Sequence, residues 1–179
     1  LIISNWVIDE FKKYKDEKIL LDFLKTFEEE SLIKIERSKD DENEARKYIN
    51  EGIVDKIIYK DIPEVFEVKN SALIKSIFNI IYNGPGQIIE IQELSKELGV
   101  SRQLVSNYLE YLEQSFLIKK LYNYSKNVRK TERKLKKYYP TLFNSLIIES
   151  NFSMVFEQFL VIQLNADFFW RDVYKNEVD

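Results

Sequence analysis

The segment ELSKELGVSRQLVSNYLEYLEQSFLIKKL, residues 93–121, constrains the fold more than any other part of the chain. Leu94 and Leu98 stand four apart on one helical face. Gly99 follows where a helix ends in a left-handed turn. Ser101 is a natural helix N-cap, and after it Leu104, Val105, Tyr108, Leu109 and Leu112 make a second apolar stripe. FLIKKLYNY then reads as a strand. Upstream, Asn70 and Ser71 cap SALIKSIFNIIYN, whose wide stripe of Leu73, Ile74, Ile77, Phe78, Ile80 and Ile81 requires burial on more than one side. NGPG (83–86) stops that helix, and QIIEI (87–91) is a short β-branched strand. The order helix, strand, helix, turn, helix, strand predicts a winged helix-turn-helix over 70–140.

The flanks are less regular. Trp6, Phe11, Leu20, Leu21, Phe23, Leu24 and Phe27 recur at roughly helical spacing, which predicts one or two helices to about Ser31. Residues 32–36 alternate like a short strand, and 39–44 form a solvated loop or helix entry. Ala45, Tyr48, Ile49, Ile53, Ile57, Ile58 and Ile62 share a face of an amphipathic helix expected to end at Pro63. Residues 1–69 therefore read as a helical, lid-like or linker region. After the winged helix, SNFSMVFEQFLVIQL is an apolar helix capped near Asn151, and DFFWRDVYKNEVD reads as two strands around a turn. Residues 141–179 are expected to start an α/β piece that is cut short. The expected fold class is mainly α: a helical N-terminal part, a winged helix-turn-helix and a truncated α/β C-terminal piece.

Composition narrows the chemistry. Four glycines and three prolines in 179 residues favour helix over sandwich folds. With no cysteine and no histidine, disulfides, thiolate or imidazole metal sites and His-dependent triads are excluded. No G-x-x-x-x-G-K-[ST] occurs, so nothing here binds nucleotide in the P-loop manner. No apolar run reaches the roughly 18–20 residues of a membrane span, and LIISNW lacks a basic n-region. The expectation is a soluble, cytoplasmic protein with no membrane partner. A start at Leu1 and an end at KNEVD suggest an excised piece.

The net charge of −3 hides segregation. Residues 125–137 carry Lys126, Arg129, Lys130, Arg133, Lys134, Lys136 and Lys137 against Glu132, a local +6, which leaves −9 for the rest. On the helix after Ser101, the outward positions Arg102, Gln103, Ser106 and Asn107 are residue types that read base edges in a major groove. The basic stretch lies where a wing would, and suits phosphates. Together with Ser101, these residues are the candidate DNA contacts. The competing reading is a solvated polar face, with Glu110 and Glu113 further along it and the basic run paired to acidic neighbours. Winged helices also serve as oligomerisation scaffolds. Glu157 in the apolar helix and Asp179 at the chain end are half of a hard-cation site at best, the plainer alternative being that Glu157 sits on the wet side of its helix.

Several stretches resemble one family. ARKYINEGIVDKIIYKDI, LGVSRQLVSNYLEYLEQSFLIKKLYNYSKNVRK, KKYYP, FEQFLVIQL and FFWRDVYKNEVD are similar to the C-terminal half of archaeal and bacterial AAA-type ATPases. The resemblance runs from about Ala45 to Asp179. It implies a parent with an upstream P-loop ATPase domain, a central winged helix and a restriction-endonuclease-like C-terminal domain of unknown function. In such a domain a helix Glu, matched by Glu157, a strand Asp, matched by Asp179, and a following E-x-K strand make a metal-dependent site. The E-x-K strand has no counterpart before the chain ends. ATP and Mg are thus expected for the parent and no cofactor for this chain, whose own enzyme status stays open. The expected partners are DNA, the parent's ATPase domain and a second copy of the chain.

Overall fold

The computed structural model describes residues 47–127, 129, 131, 135–144, 151–172, 174 and 177–178. The helices expected before Ser31, the strand at 32–36, the 39–44 segment and Ala45 lie outside the described residues, as do Lys130, Arg133, Lys134 and Asp179. The chain divides into two compact units, Leu1–Gly52 and Ile53–Asp179. All the described residues except 47–52 belong to the second unit.

Helix dominates the described residues. The amphipathic run opens as wide π-helical turns, Tyr48–Asp55 and Ile57–Asp61, in which the Ile62 amide reaches back five residues to the Ile57 carbonyl. It closes as α1 (Ile62–Val65). Pro63 does not end the helix as expected. It sits in the first turn of α1, where a missing N–H is tolerated. The wide turns also shift the inward face: Val54, Ile58 and Ile62 are buried, while Tyr48, expected on the apolar stripe, is exposed.

Helix α2 (Ser71–Asn83) is capped by Asn70, whose side chain accepts from the Leu73 amide at 3.1 Å. Ile74, Ile77, Phe78 and Ile81 are buried on it, and each such side chain is worth about 1.5–3 kcal/mol. Strand β1 (Gln87–Ile89) ends early, because Ile91 already opens α3 (Ile91–Glu97). Gly99 then takes φ +66°, with Val100 N–H bonded to Ser95 O and Gly99 N–H to Lys96 O. That is the paired closure of a left-handed helix end. Ser101 caps α4 (Arg102–Gln114) by accepting from the Leu104 amide at 3.2 Å. Of the expected inward face, Val105, Tyr108, Leu109 and Leu112 are buried and Leu104 is half-buried.

Strands β2 (Ile118–Asn123), β3 (Lys136–Pro140) and β4 (Phe168–Arg171) and helix α5 (Phe152–Gln163) complete the unit, with a two-residue β5 (Glu177–Val178). Asn151 precedes α5, but its side chain makes no cap bond. The sheet order is β1-β3-β2-β4-β5. β3 runs antiparallel to both β1 and β2, β2 runs parallel to β4, and β4 runs antiparallel to β5. The sheet therefore continues past Pro140 into the C-terminal residues. Asn123 ties this junction: its amide donates to Arg171 O at 3.1 Å and accepts from Arg171 N–H at 3.3 Å. On the face under α5, Leu121, Tyr139, Val161 and Phe169 form one buried cluster.

Candidate functional site

Three places collect chemistry-bearing residues. The first is the outward face of α4. Arg102 and Gln103 are exposed; Ser106 and Asn107 are half-buried. Helical spacing brings Gln103 within 2.7 Å of Asn107 as a donor, and Gln114 within 3.0 Å of Glu110. Ser101 is spent on its cap.

The second is the connection from β2 to β3. Lys126 and Arg129 are exposed there. Thr131 is buried and its hydroxyl donates to Ser125 O at 3.2 Å, pinning the start of the connection. The end of the basic stretch behaves differently. Lys137 is turned inward on β3, with its ammonium 5.5 Å from the centre of the Phe169 ring, and Lys136 lies over the Tyr122 ring at 5.5 Å. Of the described basic residues in this stretch, Lys126 and Arg129 are thus solvated, while Lys136 and Lys137 are held on the strand.

The third surrounds Glu157. The carboxylate Oε1 accepts from Lys137 Nζ at 3.0 Å and from Tyr139 OH at 2.5 Å. Gly86, at φ +79°, presses against the pair: a Cβ there would sit 2.9 Å from Glu157 Oε1 and 3.0 Å from the Tyr139 ring. Only glycine fits that approach at that φ. Pro85, Gly86, Gln87, Ile88, Met154 and Arg171 join Lys137 and Glu157 around an open cleft of about 390 Å³. Glu157 is therefore a salt-bridge partner, with an ammonium at the oxygen a cation would take. Among the described residues no three carboxylates converge. Asp179, the other residue of the expected half-site, lies outside the described residues.

Sequence reasoning missed the aromatic side of the sheet. Tyr122, Tyr124, Phe168 and Trp170 are of one parity on neighbouring strands, since Tyr122 is paired with Phe168. The Tyr124 amide extends the ladder to Phe169 O at 2.7 Å. Alternation in KKLYNY and DFFWR was the available signal. At the covered end of this face, Glu113 of α4 bonds Lys120 at 2.5 Å. Burial pulls the Lys120 ammonium down, but the Glu113 carboxylate and the Tyr122 hydroxyl outweigh it, and the group ends above the usual lysine value. Burial pushes the Tyr138 phenol up to about 12.

No helix among the described residues is long and apolar enough to cross a membrane. No solved structure matches the chain. The uncharacterized protein MJ1544 of Methanocaldococcus jannaschii is 36% identical over 91 residues, which cover 48% of this chain and 20% of that protein. The chain thus spans about a fifth of the length of this relative. Residues 35–141 match the domain of unknown function DUF8612. That match covers more than half of the chain, from before the π-helical turns to the end of β3, and the chain belongs to the DUF8612 family.

Proposed function

We propose that residues 70–140 form a winged-helix module that binds duplex DNA, carried in the cytoplasm by a longer AAA-type ATPase to whose nucleotide state it couples. The observation that carries this reading is the placement of charge. The β2–β3 connection exposes Lys126 and Arg129 directly after the helix-turn-helix pair α3 and α4, and α4 begins with the exposed Arg102 and Gln103. The basic connection would neutralise phosphates while the start of α4 meets base edges. Gln103 would exchange its bond to Asn107 for a base contact. The relative five times longer than the matched stretch is compatible with a module inside a larger protein.

The test is fluorescence anisotropy with labelled duplex DNA across a salt series. Lys126→Glu with Arg129→Glu should weaken binding for all sequences and flatten the salt dependence. Absent or salt-independent binding sinks the reading. The second reading is an interaction scaffold. It is favoured by the exposed acid Glu110 on α4, which repels phosphate, and by the mutual pairing of the polar side chains there. A stable oligomer by light scattering, with no shift of DNA, selects it.

A further inference from the structure

We infer that the open end of the sheet, built from Tyr122, Tyr124, Phe168 and Trp170, is a stacking platform for single-stranded nucleic acid. It is separate from the α4 face and does not depend on the duplex reading. Phe168, Tyr124 and Trp170 are 51%, 48% and 44% exposed. Their rings are mutually ordered: Phe168 stands edge-on to Tyr124 at 5.9 Å and tilted to Tyr122 at 6.4 Å. Strand pairing fixes this spacing, because Tyr122 and Phe168 are register partners and Trp170 follows two residues on. Rings held on a rigid sheet keep their order without help from a ligand, so little is lost on binding.

The surroundings choose the occupant. Lys136 lies over the Tyr122 ring at 5.5 Å, Lys120 at 5.2 Å is held by Glu113, and the strand leads directly to the exposed Lys126 and Arg129. Of the acids near this group, Glu113 is matched by Lys120, and Asp172, two residues beyond Trp170, accepts from the Tyr174 amide. Asp167 neighbours Phe168, but it lies within 3.5 Å of Lys119 Nζ. Apolar rings rimmed by ammonium and guanidinium groups suit a ligand with π-faces and a phosphate backbone. An aliphatic protein surface offers neither. A duplex hides its base faces within the stack, whereas an unpaired strand presents them. Recognition through stacking is tolerant of sequence, since every base has a π-face.

The experiment uses the full chain with Trp6→Phe, which leaves Trp170 as the single tryptophan. Titration with oligo(dT) at low salt reads Trp170 fluorescence and, with a labelled strand, anisotropy. Saturable quenching is expected, along with a loss of affinity of at least about fivefold on Phe168→Ala, the lower end of one base–aromatic stack. Phe168→Tyr should restore most of it. Circular dichroism of each variant checks folding. Duplex DNA should bind without quenching and should not respond to Phe168→Ala, whereas Lys126→Glu with Arg129→Glu weakens both ligands. Duplex binding lost with oligo(dT) binding intact overturns the winged-helix reading and supports this one. Binding of oligo(dT) without quenching, or unchanged by Phe168→Ala, overturns the platform. So does self-association by light scattering that Phe168→Ala abolishes while oligo(dT) gives no quenching.

Discussion

Beneath α5, β3 buries a lysine and a tyrosine that share one carboxylate, and Leu121 of β2 and Phe169 of β4 pack beside that tyrosine. On the opposite face, past the cover of α4, β2 with the residue after it and β4 hold tyrosine, phenylalanine and tryptophan rings partly in solvent. Residues 168 and 169 show the contrast most plainly. Phe169 is 2% exposed in the cluster with Leu121, Tyr139 and Val161, and its chain neighbour Phe168 is half exposed. Period-two alternation assigns them to opposite faces. The difference teaches that burial alone does not mark the side that meets a ligand. The closed face turns its polar groups on each other, and the open face keeps its rings ordered and partly in solvent. Phe169→Ala should cost about 3–5 kcal/mol, the usual range for emptying a buried aromatic site. Urea unfolding would measure it, and a loss below that range would mean that α5 closes over the gap.

The closed face is also where a charge has been made to depend on a neighbour. Glu157→Ala would leave the Lys137 ammonium and the Tyr139 hydroxyl without their shared carboxylate. Breaking a buried pair costs about 3–5 kcal/mol. Glu157 is 31% exposed on its side chain and Lys137 5%, so water offsets part of that, and a loss of about 3 kcal/mol is expected. The double change Glu157→Leu with Lys137→Met should recover most of it. If the single change is neutral, the carboxylate is not held by its cage and the contrast between the faces weakens.

Alkaline pH probes the covered end of the other face. Tyr138 titrates at 10.0 when unfolded and about 12 when folded. Its contribution is complete below pH 10, because both states are then neutral. Between pH 10 and 12 the unfolded chain ionises first, and stability falls by about 3 kcal/mol. Lys120 acts in the same direction, since its raised value favours the folded ammonium until pH passes through the folded value. Tyr138→Phe should remove the larger share of this slope and leave the lysine's. A slope unchanged in Tyr138→Phe contradicts the assignment.

Local signals carry α3, α4 and the turn between them from sequence into structure. Gly99 and Ser101 act at their own positions, and so do the stripes of α2 and α4. These features depend on neighbours a few residues away. The π-helical winding is not legible in the sequence, because it changes which residues of 48–65 face inward without changing their composition. The cage around Glu157 is not legible either. It joins Gly86, Lys137, Tyr139 and Glu157, which are distant in the chain and meet only once β1 pairs with β3 and α5 crosses them. NGPG spells a turn, and a turn it is. Its second glycine is also the place where the backbone closes on a carboxylate.

Three helix ends extend the comparison to backbone strain. α3, α4 and α5 all close with a left-handed residue, and these are Gly99, Phe116 at φ +59° and Asn165 at φ +49°. Glycine and asparagine tolerate that conformation; a phenylalanine holds it with a Cβ crowded against the carbonyl. The Phe116 ring is 83% exposed, so burial offsets little of this strain. Phe116→Gly should therefore stabilise the chain by about 1 kcal/mol, seen as a raised melting temperature. No gain would mean that the ring has a contact beyond the described residues.

The smallest expected effect is the most informative for the two faces. Phe168→Ala removes a ring that touches Tyr122 and Tyr124 at their edges and is half in water. Surface changes of this kind shift stability by about 0.5 kcal/mol or less, against several for Phe169→Ala one residue away. The ratio between the two, measured in the same denaturant series, tests the faces without any ligand. If Phe168→Ala costs as much as Phe169→Ala, the ring is buried in solution against something that covers the open face. That outcome would remove the surface on which a nucleic acid is to stack. If it is close to neutral, the ring's ordered exposure is a feature that folding does not require, and a role in binding accounts for it.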